Sequence, residues 1–282
     1  MKFGLRYCNI GPLSQREPAI EIAQFAEQAG FESLWSIEHV VIPAGYQSAY
    51  PYSEDGKFGW PENLDYPDPL MWLAVLAGAT TTLNLGTAVM ILPQRNPLVL
   101  AKELSTLDVM SGGRVLCGVG VGWLEEEFNA IGIPFDERGP RTDESIDAMR
   151  CLWREAEATF DGQFHSFERA LMFPKPLQQS HGSAAVPLII GGHSKLAARR
   201  AGRTGDGFFP ARATPDDLPG LLGEVEKTAT EHSRSMNDIE ITAGSVFDLD
   251  TARAFEQIGA DRVMCALMLP DLITDLDEAK RK

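Results

Sequence analysis

Glu38 and His39 are adjacent titratable residues at the end of an apolar run, Phe31 to Ile37. A histidine at a strand end can give or take a proton near neutral pH, and a neighbouring carboxylate can orient or shield it. Alone, a histidine in such a place is more often structural, so the pair needs a setting. His165, His181, His193 and His232 show no H-x-H or H-E-x-x-H spacing, and no metal site is expected. Cys8, Cys117, Cys151 and Cys265 lie far apart with no C-x-x-C pair, which reads as reduced, buried thiols.

Two glycine-rich turns supply that setting. Gly118-Val119-Gly120-Val121-Gly122-Trp123 would let a flat ligand approach the backbone, although its G-x-G-x-G spacing is not the dinucleotide fingerprint. A tight turn with no ligand explains it equally well. Ile189-Ile190-Gly191-Gly192-His193-Ser194 ends an apolar strand in two glycines and a capping hydroxyl, followed by Lys195. Free N–H groups at the positive end of a helix dipole suit a phosphate, while a Ser-capped helix is the plain alternative. Between Leu85 and Pro97 a long strand exit carries Gly86, Thr87 and Ala88, small enough to leave room for a planar ring. Glu125-Glu126-Glu127 reads as a solvated helix start.

These turns sit in a rhythm of short apolar runs and helix-period segments, the pattern of β-α-β units. Strands are expected at Lys2–Cys8, Phe31–Ile37, Leu83–Leu92, Arg114–Val119, Pro187–Ile190, Asp206–Phe209, Ile239–Ala243 and Arg262–Ala266. Helices are expected at Pro18–Gly30, Asp68–Thr81, Pro97–Met110, Thr142–Glu157, Lys195–Ala201, Pro215–His232 with Thr214 as its cap, Thr251–Ile258 and Asp271–Lys280. Eight such repeats without a linker favour an α/β fold made of a single (β/α)8 TIM barrel, one domain over residues 1–282, over an open sheet.

Two connections are too long for turns. Residues 43–69 hold five prolines, three glycines and six aromatic residues. Aromatic content argues for an ordered, functional loop. The segment Phe160–Pro176 contains Asp161-Gly162 between aromatic residues and suggests a hairpin. Both are expected as insertions at the C-terminal face of the strands, where barrel enzymes keep their sites.

The charge of −15 over 282 residues lacks the basic footprint that phosphate backbones or anionic membranes attract, so neither nucleic acid nor membrane is an expected partner. No long apolar stretch opens the chain, and the cytoplasm is the expected location.

In this order the segments resemble the luciferase-like monooxygenase superfamily, and within it the branch that uses the deazaflavin coenzyme F420. The resemblance rests on Ala26 to Trp35, Glu38-His39, Leu85 to Val89, Arg95-Asn96-Pro97, Ser111 to Arg114, Gly118 to Trp123, Gly191 to Ser194 and Gly205 to Phe208. It implies a barrel with the coenzyme ring at its mouth. His39 would face the ring as the catalytic acid–base, oriented by Glu38. Ala88 and Val89 would form a bulge behind the ring, joined by a non-prolyl cis peptide. Val121 and Gly122 would flank the ring, and Gly191, Gly192, His193 and Ser194 would hold the phosphate end.

The implied activity is hydride transfer between F420 and a small organic substrate, by a homodimer. The alternatives are an FMN-dependent monooxygenase using dioxygen and a barrel that binds a flavin or deazaflavin without turnover. Sugar-phosphate dehydrogenases of this family carry an acid where this chain has Trp123, which points away from a sugar phosphate. Arg95, Arg138, Arg141 and Lys195 are expected as a basic lip for the anionic tail of F420.

Overall fold

A computed structural model describes residues 1–180 and 182–266. His181 and the expected helix Asp271–Lys280 lie outside the described residues. Parallel strands β1 (Lys2–Arg6), β2 (Ser33–Ser36), β3 (Asn84–Thr87), β4 (Val115–Gly120), β5 (Leu188–Gly191), β6 (Gly207–Phe209), β7 (Glu240–Val246) and β8 (Arg262–Ala266) each pair with the next. β8 returns to β1 with Lys2 opposite Arg262, which closes the expected eight-stranded barrel. Around it run α1 (Arg16–Ala29), α2 (Pro69–Ala77), α3 (Pro97–Ser111), α4 (Glu125–Ala130), α5 (Arg138–Arg154), α6 (Lys195–Thr204), α7 (Leu218–Glu231) and α8 (Leu249–Ile258).

Local chemistry sets most boundaries. α1 buries Ala19, Ile22, Ala23 and Ala26, an i, i+3, i+4, i+7 stripe, and stops at Gly30 in the left-handed conformation. The carboxylate of Asp68 accepts from the amides of Leu70 and Met71 to start α2, and the Asn96 side chain starts α3 in the same way, each followed by proline. β1 ends at Arg6, two residues short of expectation, because Tyr7 turns to φ 64°. α7 begins at Leu218 rather than Pro215. Thr214 and Asp217 bond each other across the turn, Oγ1 to Oδ2 at 2.6 Å, so Thr214 is spent before the helix starts.

Small residues inside the barrel make room for its own large ones. A Cβ on Gly86 would lie 2.3 Å from the Trp35 ring, so the space expected there for a ligand holds an indole. Trp35, Ala88, Ile189, Phe209 and Met264 fill the interior, and the larger apolar core lies between strands and helices. At the N-terminal end of the strands Arg262, 1% exposed, closes the floor against Glu32, Glu240 and Thr242.

The hairpin forms, with Ala158–Asp161 antiparallel to Ser166–Ala170. It does not sit over the mouth. The Glu144 carboxylate on α5 accepts from the amides of Gln163, Phe164 and His165, which ties the hairpin tip along that helix. It joins the end of α5 to the start of β5, so chain order also places it away from the strand C-termini.

Candidate active site

β3 does not run unbroken to Leu92. It stops at Thr87, the Ala88–Val89 peptide is cis as expected, and Met90–Ile91 then resumes pairing beside Val119 and Gly120. Thr87 Oγ1 donates to the carbonyl of Gly118 at 2.7 Å. The Val89 side chain occupies the space left by missing side chains: a Cβ on Gly120 would lie 2.7 Å from it, and one on Gly191 2.5 Å. The glycines of both turns therefore fit the bulge first. Gly122 has φ 80°, and a Cβ there would press on Ile91 and Phe128. Val89, Val121, Gly122, Gly191, Gly192 and His193 remain partly exposed around this bulge, while Ala88 is buried beneath it.

His39 has a carboxylate partner, but not the expected one. Its Nδ1 lies 3.1 Å from Glu127 Oε2, with the two side chains 6% and 0% exposed. The other oxygen of Glu127 accepts from the amides of Val40 and Val41 at 2.6 and 3.2 Å. Glu127, read from sequence as part of a solvated helix start, is thus the group that fixes His39 and the chain beyond it. No local pattern marks it, since only the fold brings α4 over the end of β2.

Glu38 serves the bulge instead. Its Oε2 accepts from the Ile91 amide at 2.5 Å, and Oε1 from Arg95 Nε at 2.8 Å. Burial pushes this carboxyl up, and the Arg95 charge opposes the shift. Arg95 also holds Asp68 at 2.7 Å, so the capping residue of α2, the end of β2 and the exit of β3 share one knot, buried at Glu38 and open to solvent at Asp68.

The insertion after β2 roofs the site. His39 meets Phe58, Tyr66 and Trp123 edge-on at centroid distances of 5.2, 5.7 and 6.0 Å. Tyr50 touches Trp123 and Phe58, and Tyr52 packs at 4.5 Å on His193 across the barrel. Glu126 anchors the loop by accepting from the Gln47 and Ser48 amides and the Ser48 hydroxyl. At the far turn Ser194 caps α6 by accepting from Ala197 N at 3.2 Å, and burial followed by the Arg212 charge lowers the proton affinity of His193.

Three of the four cations of the expected basic lip already have acid partners. Arg95 is in the knot, Arg141 pairs with Glu137, and Lys195 lies 3.8 Å from Glu224. Arg138 stacks on Phe135 at 3.7 Å, with no carboxylate partner among the described residues. Tyr66 Oη, both amide atoms of Gln94, Arg138 Nε, Arg6 Nε and, in the second half of α5, Arg150 Nε are buried without partners among those residues. Arg6 ends β1, and Tyr66, Gln94 and Arg138 stand on segments that follow strand C-termini, whereas Arg150 does not. Buried polar groups are normally bonded, so this convergence marks a mouth shaped for a polar ligand.

The sequence profile of luciferase-like monooxygenases matches residues 9–254. The chain belongs to the luciferase-like monooxygenase family. An uncharacterised Mycobacterium tuberculosis protein is 31% identical over 252 residues, 89% of this chain and 85% of that one. An F420-dependent glucose-6-phosphate dehydrogenase from Intrasporangium calvum is 30% identical over 243 residues, 83% of this chain and 66% of the relative. Among solved structures, the F420-dependent tetrahydromethanopterin reductase of Methanopyrus kandleri superposes with a TM-score of 0.76 at 16% identity, covering 99% and 96% of the two chains. An F420-dependent secondary alcohol dehydrogenase gives 0.75 at 20% identity, covering 94% and 92%. At these identities the structural likenesses show the barrel fold. No helix among the described residues is long and apolar enough to cross a membrane.

Proposed function

We propose that this family member is an oxidoreductase that moves hydride between coenzyme F420 and a small organic substrate, with His39 carrying the accompanying proton. The observation that carries the reading is the buried His39–Glu127 pair, set under an aromatic roof and tied to the Ala88–Val89 bulge through Glu38. The F420-dependent relative and the two F420-dependent structural neighbours named above support the choice of coenzyme. Ala88 and Val89 would back the ring, Val121 and Gly122 would flank it, and Gly191, Gly192, His193 and Ser194 would take the phosphate end. When bound, the coenzyme supplies the hydride acceptor or donor.

The chain supplies the rest. Nδ1–H of His39 donates to Glu127, which fixes the tautomer and leaves Nε2 to take the proton as hydride departs the substrate, or to return it in reverse. Glu127 is a positioning residue, fixed in turn by the amides of Val40 and Val41. The aromatic residues of 43–69 exclude water and offer flat apolar walls to the substrate. The test is the spectrum and mass of the small molecule that co-purifies from an F420-producing host. Deazaflavin absorbance with a matching mass supports the reading, and bound FMN overturns it.

A further inference from the structure

Arg6 ends β1 and points into the barrel mouth. Gly4 lies on the interior face of that strand, where a Cβ would meet Met264 and Trp35, and Arg6 two residues on shares its face. The residue is 5% exposed. Its one hydrogen bond among the described residues runs from Nη1 to Ser245 Oγ at 3.3 Å, and Nε has none. Its guanidinium stands 4.0 Å from the Tyr7 ring and 5.4 Å from that of Phe209.

Other buried arginines are answered differently. Arg262 has Glu32 and Glu240, Arg150 has Asp206, and Arg114 donates to the carbonyls of Ala77, Thr80, Leu83 and Ser111. No acid pairs with Arg6 among the described residues. Burial lowers its proton affinity, against the opposing influence of Tyr7 and Tyr50 and with a smaller push from the charge of Arg212. A guanidinium stays protonated in proteins, so a lone buried one is costly unless a counter-charge arrives.

We infer that Arg6 is the floor of an anion subsite in the barrel mouth that receives a carboxylate of the organic substrate, with exposed Arg212 at its rim. The planar fork of a guanidinium matches a carboxylate in two parallel bonds. Arg6 supplies the subsite's buried positive charge, which a single carboxylate neutralises, while exposed Arg212 is screened by water. Tyr7 packs on Trp60 at 5.0 Å, so the roof reaches above Arg6 and suits a substrate with a planar apolar body. The word substrate rests on the oxidoreductase reading, but the anion subsite does not.

Benzoate and its neutral analogue benzamide serve as probes, titrated into the full chain by tryptophan fluorescence with and without added F420. Wild type is expected to prefer benzoate by tenfold or more, and Arg6→Met to lose that preference while keeping its benzamide affinity. Equal binding of the two probes by wild type overturns the proposal, and this arm needs no variant to fold. So does an Arg6→Met protein that keeps the preference, or one that loses tenfold in F420 affinity while binding benzoate normally, because the anion is then the coenzyme's. Failure of F420 to bind wild type would sink the coenzyme reading and leave the probe comparison to decide the subsite by itself.

Discussion

His39 and Glu127 stand 88 positions apart and meet at 3.1 Å, so the pair is a product of the barrel and not of any local motif. Replacing His39 with Ala is expected to lower turnover by about 10²-fold or more, with coenzyme affinity held within a few-fold, as for loss of a general acid–base. Steady-state rates beside a binding titration check this, and unchanged turnover removes His39 from the mechanism. Glu127→Gln keeps an acceptor for Val40 and Val41 but sets a neutral amide, in place of the charged Oε2 oxygen, against Nδ1 of His39. It is expected to lower turnover by about tenfold or more while the thermal midpoint stays near that of wild type. At the opposite turn, Asp is as good a helix cap as Ser. Ser194→Asp should therefore keep stability within a few tenths of a kcal/mol and weaken coenzyme binding by about 1.4 kcal/mol, roughly tenfold, by setting like charge beside the phosphate. Equal coenzyme affinity in the two proteins would move the phosphate site elsewhere.

The insertion of residues 43–69 is held at its base by Glu126, whose carboxyl is drawn down to about 2 by the Ser48 hydroxyl first, against some desolvation, with the Gln47 and Ser48 amides helping. A depressed carboxyl contributes stability above its unfolded value, roughly 4.3, and loses it as pH falls towards the folded value. The anchor is therefore expected to persist at pH 5 and to weaken between about pH 4 and pH 2. Glu126→Ala should show faster proteolytic nicking within 43–69 at neutral pH and a raised KM; a loop as protected as in wild type would show that the aromatic contacts hold it alone.

Element order was legible because strand and helix periods, Gly30, and the Asp68-Pro69 and Asn96-Pro97 caps are local signals. What the sequence concealed was long-range. Gly86 reads as room for a ligand until Trp35 is seen filling it. Glu38 reads as the partner of its neighbour until Arg95, 57 residues on, claims it. Arg95 and Lys195 of the expected lip could not be told from free cations, since their acids Glu38 and Glu224 sit on other elements, whereas Glu137 stands four residues before Arg141.

The whole barrel separates stability from chemistry along its axis. Arg262, Glu32 and Glu240 close the floor, while His39, Glu127 and the bulge stand at the mouth. Arg262→Ala leaves two carboxylates without their shared cation and is expected to cost about 3–5 kcal/mol in denaturant unfolding, with coenzyme affinity unchanged for the folded fraction. A large loss of affinity would show that floor and mouth are coupled. The net charge of −15 bears on encounter with an anionic coenzyme rather than on the bound state. Because Arg95, Arg141 and Lys195 already have acids, the bound state should depend only weakly on salt. Equilibrium titration of the purified chain with F420 and with FMN, each at two salt concentrations, tests the central claim most directly. F420 is expected to bind more tightly than FMN at both, and tighter binding of FMN would contradict the account.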